Sequence, residues 1–315
     1  MSIIKKINMN FFEFNKKFPT EHSVVKYYIE ARYKHKTPCC NHCGSAKTYH
    51  YTNETKIKFF RCGDCNRDFS VFKGTIFEKS CTDLRKWFFA IHLFLNGKKG
   101  ISGYQLQREI GVTYKTAWRI LKKIREVMGN DNDDDNNGSG GLMQEIKNIQ
   151  IDETYVGGKE KNKHKSKKGI QEKSIVFAML DNDKKKVKGF LVETAFGFSQ
   201  NTAYHTLAKH IINRVPMGSN INSDELQSYK ALKYFYNHKM VKHGAGEYVS
   251  KKDKTNHING MENFFGTFKR GILGIYHHVS KKYLQAYVNE FCFRYNNRGN
   301  TNIFNLLINQ TIYAK

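Results

Sequence analysis

The stretch Glu145-Ile-Lys-Asn-Ile-Gln-Ile-Asp152 alternates apolar and polar residues and ends on an acidic side chain. This alternation predicts a β-strand that buries one face. Similar patterns predict further strands at 174–180, 187–193 and 220–223, with a helix at 201–214. Three antiparallel strands, a helix and a strand beside the first would bring the ends of the first and fourth strands together.

Acidic residues stand at three points of this pattern. Asp152 ends the first predicted strand, Asp224 follows the fourth, and Glu262 opens a segment with helical periodicity. If the helix predicted at 261–269 packs on the sheet, it delivers Glu262 to the two aspartates. Hard oxygen ligands of this kind suit Mg²⁺ better than Zn²⁺. The elements follow the order of a ribonuclease H-like α/β fold, which we predict for residues 145–315.

The chain as a whole is strongly basic, in contrast to these three acidic residues. The 315 residues include 53 Lys and Arg against 28 Asp and Glu, a formal net charge of +25. Such a field favours a polyanionic partner, and nucleic acid is the first candidate. A lysine-rich surface that reflects compositional bias of the genome is the alternative interpretation of the charge alone.

The apolar segments are short. The longest apolar run, at 87–95, is interrupted by His92 and is far below the roughly 20 residues that span a bilayer. The first residues have no apolar signal-peptide core. We therefore expect no membrane partner and a location in the cytoplasm or nucleoid, or in the nucleus of a eukaryotic host.

A polar segment separates two halves of the chain. Residues 130–141 contain four aspartates and no apolar side chain, so we predict an acidic flexible linker at 129–144. Ahead of the linker we predict a helical segment at 1–34, a cysteine-rich module at 35–73 and a helical module at 82–128.

The cysteine-rich module carries two Cys-X-X-Cys motifs separated by 18 residues. Two such turns, with β-rich sequence between them, predict a zinc ribbon in which four thiolates hold one structural Zn²⁺. The predicted ligands are Cys40, Cys43, Cys62 and Cys65. The other cysteines, Cys39, Cys81 and Cys292, are predicted to be packing thiols.

The helical module is predicted to hold three helices, and Gly111 supplies a tight turn between the last two. This pattern predicts a helix-turn-helix, although a generic three-helix bundle has the same pattern. The last helix, which begins at Thr113, presents basic side chains suited to the major groove of DNA. They are Lys115, Arg119, Lys122 and Lys123.

Five motifs in the second half give the chain a specific resemblance. It resembles Merlin-type DDE transposases and their bacterial insertion-sequence relatives, the ISXO-like family with an N-terminal zinc ribbon. The matching motifs are Ile151-Asp-Glu-Thr-Tyr-Val-Gly-Gly158, Ser223-Asp-Glu-Leu-Gln-Ser-Tyr-Lys230, Asn259-Gly-Met-Glu-Asn-Phe-Phe-Gly-Thr-Phe-Lys-Arg-Gly271, Tyr276-His-His-Val-Ser280 and Asn289-Glu-Phe-Cys-Phe-Arg-Tyr-Asn-Asn-Arg298. The zinc ribbon and the helix-turn-helix stand where that family has them.

The resemblance implies a transposase that cuts at the terminal inverted repeats of a mobile element and joins the freed 3′ hydroxyls to target DNA. Two Mg²⁺ or Mn²⁺ ions about 3.5 to 4 Å apart, shared by Asp152 and bracketed by Asp224 and Glu262, would support this in-line phosphoryl transfer. The partners would be double-stranded DNA, from element ends and target, and further copies of the chain in a synaptic complex.

Other polar residues allow more than one interpretation. Glu153 and Glu225 are predicted to be fold or surface residues, and Asn259 is predicted to contact metal-bound water or DNA. Phosphate contact is predicted for Lys269, Arg270, His277 and His278. The sequence does not place His243 and His257 relative to the site. Arg294 and Arg298 either pair internally or bind DNA.

Two other functions fit parts of the pattern. One is a zinc-ribbon and helix-turn-helix regulator without catalytic activity, which would leave the three carboxylates unexplained. The other is a nuclease that cleaves DNA without joining it.

Overall fold

The computed structural model describes residues 9–34, 36–51, 53, 56–129, 148–157, 173–192, 204–241 and 257–313. The chain forms two compact units, one of residues 1–130 with 299–315 and the other of residues 131–298. Most of the predicted linker at 129–144 lies outside the described residues. Within the described part of the chain, no helix has the length and apolar character needed to cross a membrane.

The first unit begins with two capped helices, α1 (Phe11–Lys17) and α2 (Glu21–Tyr33). Asn10 caps α1 in a reciprocal pair with Glu13, and Thr20 caps α2 in the same way with Ser23. These side chains bind backbone N–H groups that have no partner inside the first helical turn.

A small antiparallel sheet follows, with strands β1 (Thr48–His50), β2 (Phe59–Cys62) and β3 (Asp68–Ser70) in the order β1-β2-β3. Thr48 pairs with Cys62, and Phe60 pairs with Phe69. Arg32 of α2 donates hydrogen bonds to the carbonyl oxygens of Val71 and Lys73, which follow β3. These bonds connect the small sheet to α2.

Three helices complete the predicted helical module, α3 (Leu84–Asn96), α4 (Gly103–Ile110) and α5 (Tyr114–Gly129). Ser102 caps α4 by accepting from the backbone N–H of Gln105. Gly111 ends α4 with a φ of 58°, a left-handed conformation that glycine adopts at low cost.

The C-terminal helix α9 (Ile303–Tyr313) belongs to this first unit. The Phe304 ring packs against the rings of Phe18 and Phe88, and Tyr27 donates a 2.6 Å hydrogen bond to Asn305. The sequence predicts this segment in the 145–315 domain, whereas the structure puts it in the first unit. Local periodicity does not show which core an apolar helix joins.

The second unit contains a five-stranded sheet in the order β6-β5-β4-β7-β8. Its strands are β4 (Asn148–Val156), β5 (Ser174–Asp181), β6 (Lys186–Val192), β7 (Asn220–Ser223) and β8 (Asn237–Met240). The first three pair antiparallel, whereas β7 lies parallel to β4 and β8 lies parallel to β7. The unit is therefore mixed α/β, as predicted.

Helices cover the two faces of this sheet. One apolar core joins the sheet to α6 (Tyr204–Ile212) and the 3-10 helix Gln227–Tyr234. The other core joins it to α7 (Asn259–Gly271) and α8 (Lys281–Asn296). The chain continues from α7 through a π-helical turn, Ile272–Tyr276.

One boundary prediction needs correction, because strand β4 continues to Val156 and does not end at Asp152. The pairing of β4 with β5 extends as far as Val156 and Ser174. The second half of the strand contains polar residues, so the alternation pattern does not predict that the pairing continues there.

Candidate active site

The parallel pairing of β4 and β7 positions the two aspartates. Ile149 pairs with Ile221, and Gln150 pairs with Asn222. Continuing this register by two residues places Asp152 beside Asp224, because parallel strands advance equally per residue. The backbone N–H of Glu153 donates to Asp152, and that of Leu226 donates to Asp224, at 2.8 and 3.1 Å.

Helix α7 brings the third acidic residue to the same face of the sheet. Gln150 Oε1 accepts a 3.1 Å hydrogen bond from the backbone N–H of Met261, in the first turn of the helix. A Cβ atom on Gly260 would overlap the Leu180 side chain and lie 2.9 Å from Gln150 Oε1. The helix therefore approaches the sheet this closely only because residue 260 has no side chain, and Glu262 follows in the same turn.

Electrostatics link the three carboxylates. Burial and the charges of Glu153, Asp224 and Glu262 raise the pKa of Asp152 to about 8. Burial also raises the pKa of Glu153 to about 7, with a further contribution from Asp224. Negative groups that repel one another in a half-buried position suit a bound cation, which would restore the ionised form.

The opposite face of β4 carries a pair that the sequence did not indicate. Tyr229 Oη donates a 2.5 Å hydrogen bond to Glu153, and the Tyr229 ring lies fully buried in the core around α6. Glu153 therefore lies on the face opposite to Asp152, where a buried tyrosine fixes it. The motif Ser223-Asp-Glu-Leu-Gln-Ser-Tyr-Lys230 contained Tyr229, and only the fold reveals its partner.

His257 lies near this site, at the start of the segment that leads into α7. Its Nδ1 is 3.3 Å from Gln150 Nε2, and its carbonyl oxygen accepts from Asn222 at 3.4 Å. Gln150 also donates to Asn182. His257 thus belongs to a polar network around Gln150, whereas His243 lies outside the described residues.

The four predicted zinc ligands meet in the first unit. Their sulfur atoms all lie within 4.8 Å of one another, and two pairs are 3.5 and 3.7 Å apart. Tetrahedral coordination at a Zn–S distance of about 2.3 Å requires sulfur atoms about 3.8 Å apart. The cysteine cluster therefore fits a structural zinc ion.

Backbone N–H groups donate to two of the four sulfur atoms, those of Cys40 and Cys62. The N–H of Cys65 is the main cause that lowers the pKa of Cys62 to about 6, and the N–H of His42 donates to the Cys40 sulfur. Within the described residues, these cysteines are the one group of three or more His, Cys, Asp or Glu that meets the spacing of a metal site.

The predictions for the other cysteines were partly wrong. Cys292 is buried and packs against Gly189, but Cys39 and Cys81 are exposed. Both exposed residues lie in connecting segments, where a small apolar side chain need not enter a core.

The predicted DNA contacts differ in accessibility. Lys115 and Arg119 are exposed on α5, whereas Lys122 and Lys123 both pair with Glu126. In the second unit the predicted basic residues are all exposed; they are Lys269, Arg270, His277 and His278.

Two arginines of the C-terminal motifs pair internally. Arg294 donates a 2.9 Å hydrogen bond to Glu290, which is fully buried. Arg298 donates to the carbonyl oxygen of Tyr295 and stacks on its ring. Internal pairing was one of the two interpretations of these residues.

The pH dependence of stability should report the carboxylate cluster. The pKa of Asp152 lies near 8 in the folded chain, against an ordinary value of 3.8. The folded state therefore holds a proton that the unfolded state has lost, and without divalent cation its stability should fall as pH rises from about 4 through about 8. Thermal unfolding in a chelator should show this fall. Asp152→Asn should flatten the dependence of the unfolding temperature on pH. The same dependence in the variant and the unchanged protein would show that the raised pKa of Asp152 does not affect stability.

Loss of a zinc ligand should unfold the ribbon. Because zinc binding is part of the folding free energy of such modules, Cys62→Ser should lose the one zinc per chain and destabilise the first unit. Elemental analysis and thermal unfolding measure both effects, with Cys81→Ser as the matched exposed control. Full zinc content in Cys62→Ser would remove this cysteine from the metal site.

Comparison with known proteins agrees with the motifs. Residues 144–296 match the family model of the ISXO2-like transposase domain. An uncharacterised protein in the transposable element ISH50 of Halobacterium salinarum is 24% identical over 295 residues, which cover 89% of this chain and 92% of that protein.

Among solved structures, a chain of the simian T-cell lymphotropic virus intasome in complex with the PP2A regulatory subunit B56 gamma is 14% identical. The match covers 59% of this chain and 63% of the solved chain, with a TM-score of 0.28, so the structural overlap is small. The family model and the ISH50 relative confirm the resemblance to insertion-sequence transposases, and residues 144–296 are similar to the ISXO2-like transposase domain.

Proposed function

We propose that this chain is a DNA transposase that binds the terminal inverted repeats of a mobile element, cleaves DNA there, and joins the freed 3′ hydroxyls to target DNA. One observation carries the proposal. The register of β4 and β7 sets Asp152 beside Asp224, and the charge of Glu262 acts on Asp152 from the first turn of α7. Transposase activity would explain why a chain of net charge +25 carries these three carboxylates.

We propose a ribonuclease H-like fold for the second unit, and its sheet topology supports this proposal. The sheet has three antiparallel strands, then a helix and a strand parallel to the first. This arrangement is the one expected from the sequence. It supports the proposal because Asp152 lies on β4 and Asp224 directly follows the neighbouring strand β7.

The catalytic roles are assigned to three residues. Asp152, Asp224 and Glu262 would bind Mg²⁺ or Mn²⁺ through carboxylate oxygens. When bound, two such ions would activate the attacking oxygen and stabilise the leaving oxygen of the phosphodiester. The backbone N–H groups of Glu153 and Leu226 orient Asp152 and Asp224.

DNA binding would be divided between the two units. On α5, Lys115 and Arg119 are exposed and free to reach the edges of bases, so this helix would recognise the ends of the element. Exposed basic residues in the last turn of α7 and after it would hold phosphates, a contact that is independent of sequence and sensitive to salt; they are Lys269, Arg270, His277 and His278. The zinc ribbon would stabilise the first unit.

The partners follow from this reaction. They are double-stranded DNA from element ends and target, and further copies of the chain that pair two ends in one complex. The reaction requires access to DNA, so the proposed location is the cytoplasm and nucleoid, or the nucleus of a eukaryotic host.

The proposal is tested with the DNA that flanks the gene. Short inverted repeats beside the gene would supply the natural substrate, and duplexes that carry them should be cleaved only when Mg²⁺ or Mn²⁺ is present. Specific binding without cleavage at any divalent concentration would favour the regulator, and would contradict the enzyme.

End recognition should depend on the exposed residues of α5. Each lost base contact costs about 1 to 3 kcal/mol of discrimination, so Arg119→Ala should reduce the preference for end-bearing over scrambled duplexes. Lys26→Ala is the matched control, because it removes an exposed charge from α2, outside the helix-turn-helix. Competition binding at two salt concentrations measures the preference. Unchanged preference in Lys115→Ala with Arg119→Ala would place recognition elsewhere.

A further inference from the structure

The parallel pairing of β4 with β7 ends before it reaches the two aspartates. Among the described residues, the last pair joins Gln150 to Asn222, and β7 itself ends at Ser223. Asp152 and Asp224 lie two residues beyond that pair. The ladder of backbone hydrogen bonds between the two strands therefore leaves the distance between the carboxylates to other contacts.

A series of hydrogen bonds connects the two aspartates from the other face of β4. The backbone N–H of Glu153 donates to Asp152 Oδ1 at 2.8 Å, and the Glu153 carboxylate accepts from Tyr229 Oη at 2.5 Å. The backbone N–H of Tyr229 donates to the carbonyl oxygen of Leu226 at 3.0 Å, and the N–H of Leu226 donates to Asp224 Oδ1 at 3.1 Å. The series thus runs from one aspartate to the other through three residues.

Core packing fixes the tyrosine in this series. Tyr229 lies in the 3-10 helix that begins three residues after Asp224. Its ring is fully buried in the apolar core that contains Ile151 and Phe177, and Phe177 is the β5 partner of Glu153. A side chain enclosed in a close-packed core has little freedom to move. The segment that carries Asp224 therefore cannot leave β4 without breaking the bond to Glu153.

Packing alone does not explain a glutamate at this position. The half-buried Glu153 lies on the face of β4 that carries Ile149 and Ile151 into an apolar core. Burial of a carboxyl group costs free energy that one hydrogen bond offsets only in part. Replacing both partners of a buried polar pair by apolar groups of the same shape is often neutral or stabilising. The geometry that the pair imposes explains it better than a gain in stability.

Support from this side leaves the reacting face open. Asp152 lies on the same face of β4 as Gln150, whose side chain contacts the backbone of α7. Metal ions and DNA would bind on that face, so a supporting residue there would occupy the space of the phosphodiester. Residues that orient a metal ligand from outside the coordination sphere commonly change metal affinity by about ten- to a hundred-fold.

We infer that Tyr229 and Glu153 are positioning residues, which hold the segment of Asp224 at the distance from Asp152 that shared metal ions require. This inference rests on the proposed function, because metal binding by these aspartates is part of it. Neither residue touches the metal or the DNA. Loss of the Tyr229 hydroxyl would release the Asp224 segment and weaken metal binding, while the fold persists.

The test measures Mn²⁺ binding to the full chain by electron paramagnetic resonance, without DNA and therefore without any reaction. The protein is loaded with zinc, and only the Mn²⁺ that Asp152→Asn fails to bind is counted. Tyr229→Phe removes one hydroxyl and should weaken this binding by about ten-fold. Tyr236→Phe is the matched control and should leave it unchanged, because Tyr236 belongs to the same core but donates to the carbonyl oxygen of Val215 at 3.1 Å.

Two comparisons separate positioning from folding and from charge. Both phenylalanine variants lose one hydroxyl hydrogen bond in the same core, so their unfolding temperatures should fall by similar amounts. Glu153→Gln and Glu153→Ala lose the same charge, but only glutamine keeps an oxygen that accepts from Tyr229. Glu153→Gln should therefore bind Mn²⁺ more tightly than Glu153→Ala.

The possible results distinguish this inference from the proposed function. Equal Mn²⁺ affinity in Tyr229→Phe and Tyr236→Phe would overturn the inference, and metal-dependent cleavage by the unchanged chain would then still support the enzyme. Mn²⁺ binding that Asp152→Asn leaves unaltered would overturn the inference as well. Weaker Mn²⁺ binding in Tyr229→Phe alone, in a protein whose unchanged chain cleaves no DNA, would support the positioning role and contradict the enzyme.

Discussion

Replacing Asp152 by asparagine is expected to lower metal-dependent DNA cleavage by about a thousand-fold or more, because losing one ligand removes several kcal/mol of charge stabilisation from the transition state. DNA affinity should stay nearly unchanged, since the proposed phosphate contacts are basic residues on other elements. The same change also removes the carboxyl whose burial and repulsion by neighbouring acids raise its pKa to about 8, so the variant should remain folded.

A neighbouring acid provides the matched control. Glu225 follows Asp224 directly and is exposed, so Glu225→Gln changes the net charge equally without altering the proposed ligands. Cleavage rates and DNA affinities of the two variants are compared under the same conditions. Substantial cleavage by Asp152→Asn, or an equal loss of cleavage rate in both variants, would contradict the assignment of the catalytic residues.

Replacing Gly260 by alanine is expected to produce the second largest effect. Its Cβ atom would overlap the buried side-chain ends of Leu180 and Gln150, so these side chains or α7 itself must move. Overpacking of this kind costs about 1 to 3 kcal/mol of stability, and a displacement of Glu262 by about 1 Å would lower cleavage by about a hundred-fold.

Gly266 on the same helix is the control for this substitution. A Cβ atom there would come no closer than 3.4 Å to another residue, the flexible end of Arg270. Gly266→Ala should therefore stabilise the chain by up to about 1 kcal/mol, the usual gain from alanine in a helix. Chemical denaturation measures both changes. Equal gains at 260 and 266 would show that close approach of α7 to the sheet has no role.

Much of the site was predictable because its signals are local. The alternation before Asp152, the short strand before Asp224 and the helical pattern after Glu262 each lie within a few residues of the acid concerned. The cysteine spacing likewise predicted the cluster that the structure contains. Regular geometry converts such local patterns into positions, since strands and helices advance by a fixed rise per residue.

The parts that escaped prediction depend on contacts between distant residues. Tyr229 reaches Glu153 across 76 residues, and Gln150 reaches Met261 across 111. Helix α9 joins the first unit through the contact of Phe304 with Phe18, although these two residues are far apart in the sequence. Periodicity shows that a face is apolar, but it carries no information about which face will cover it.

The joining reaction tests the central claim most directly. A duplex that represents a pre-cleaved element end, with a free 3′ hydroxyl, is incubated with the protein, a supercoiled plasmid and Mg²⁺ or Mn²⁺. The account predicts covalent insertion of the duplex into the plasmid, lost with chelator and in Asp152→Asn and retained in Glu225→Gln. Plasmid nicking without insertion would contradict it in favour of a nuclease, and end-specific binding without any metal-dependent reaction would contradict it in favour of a regulator.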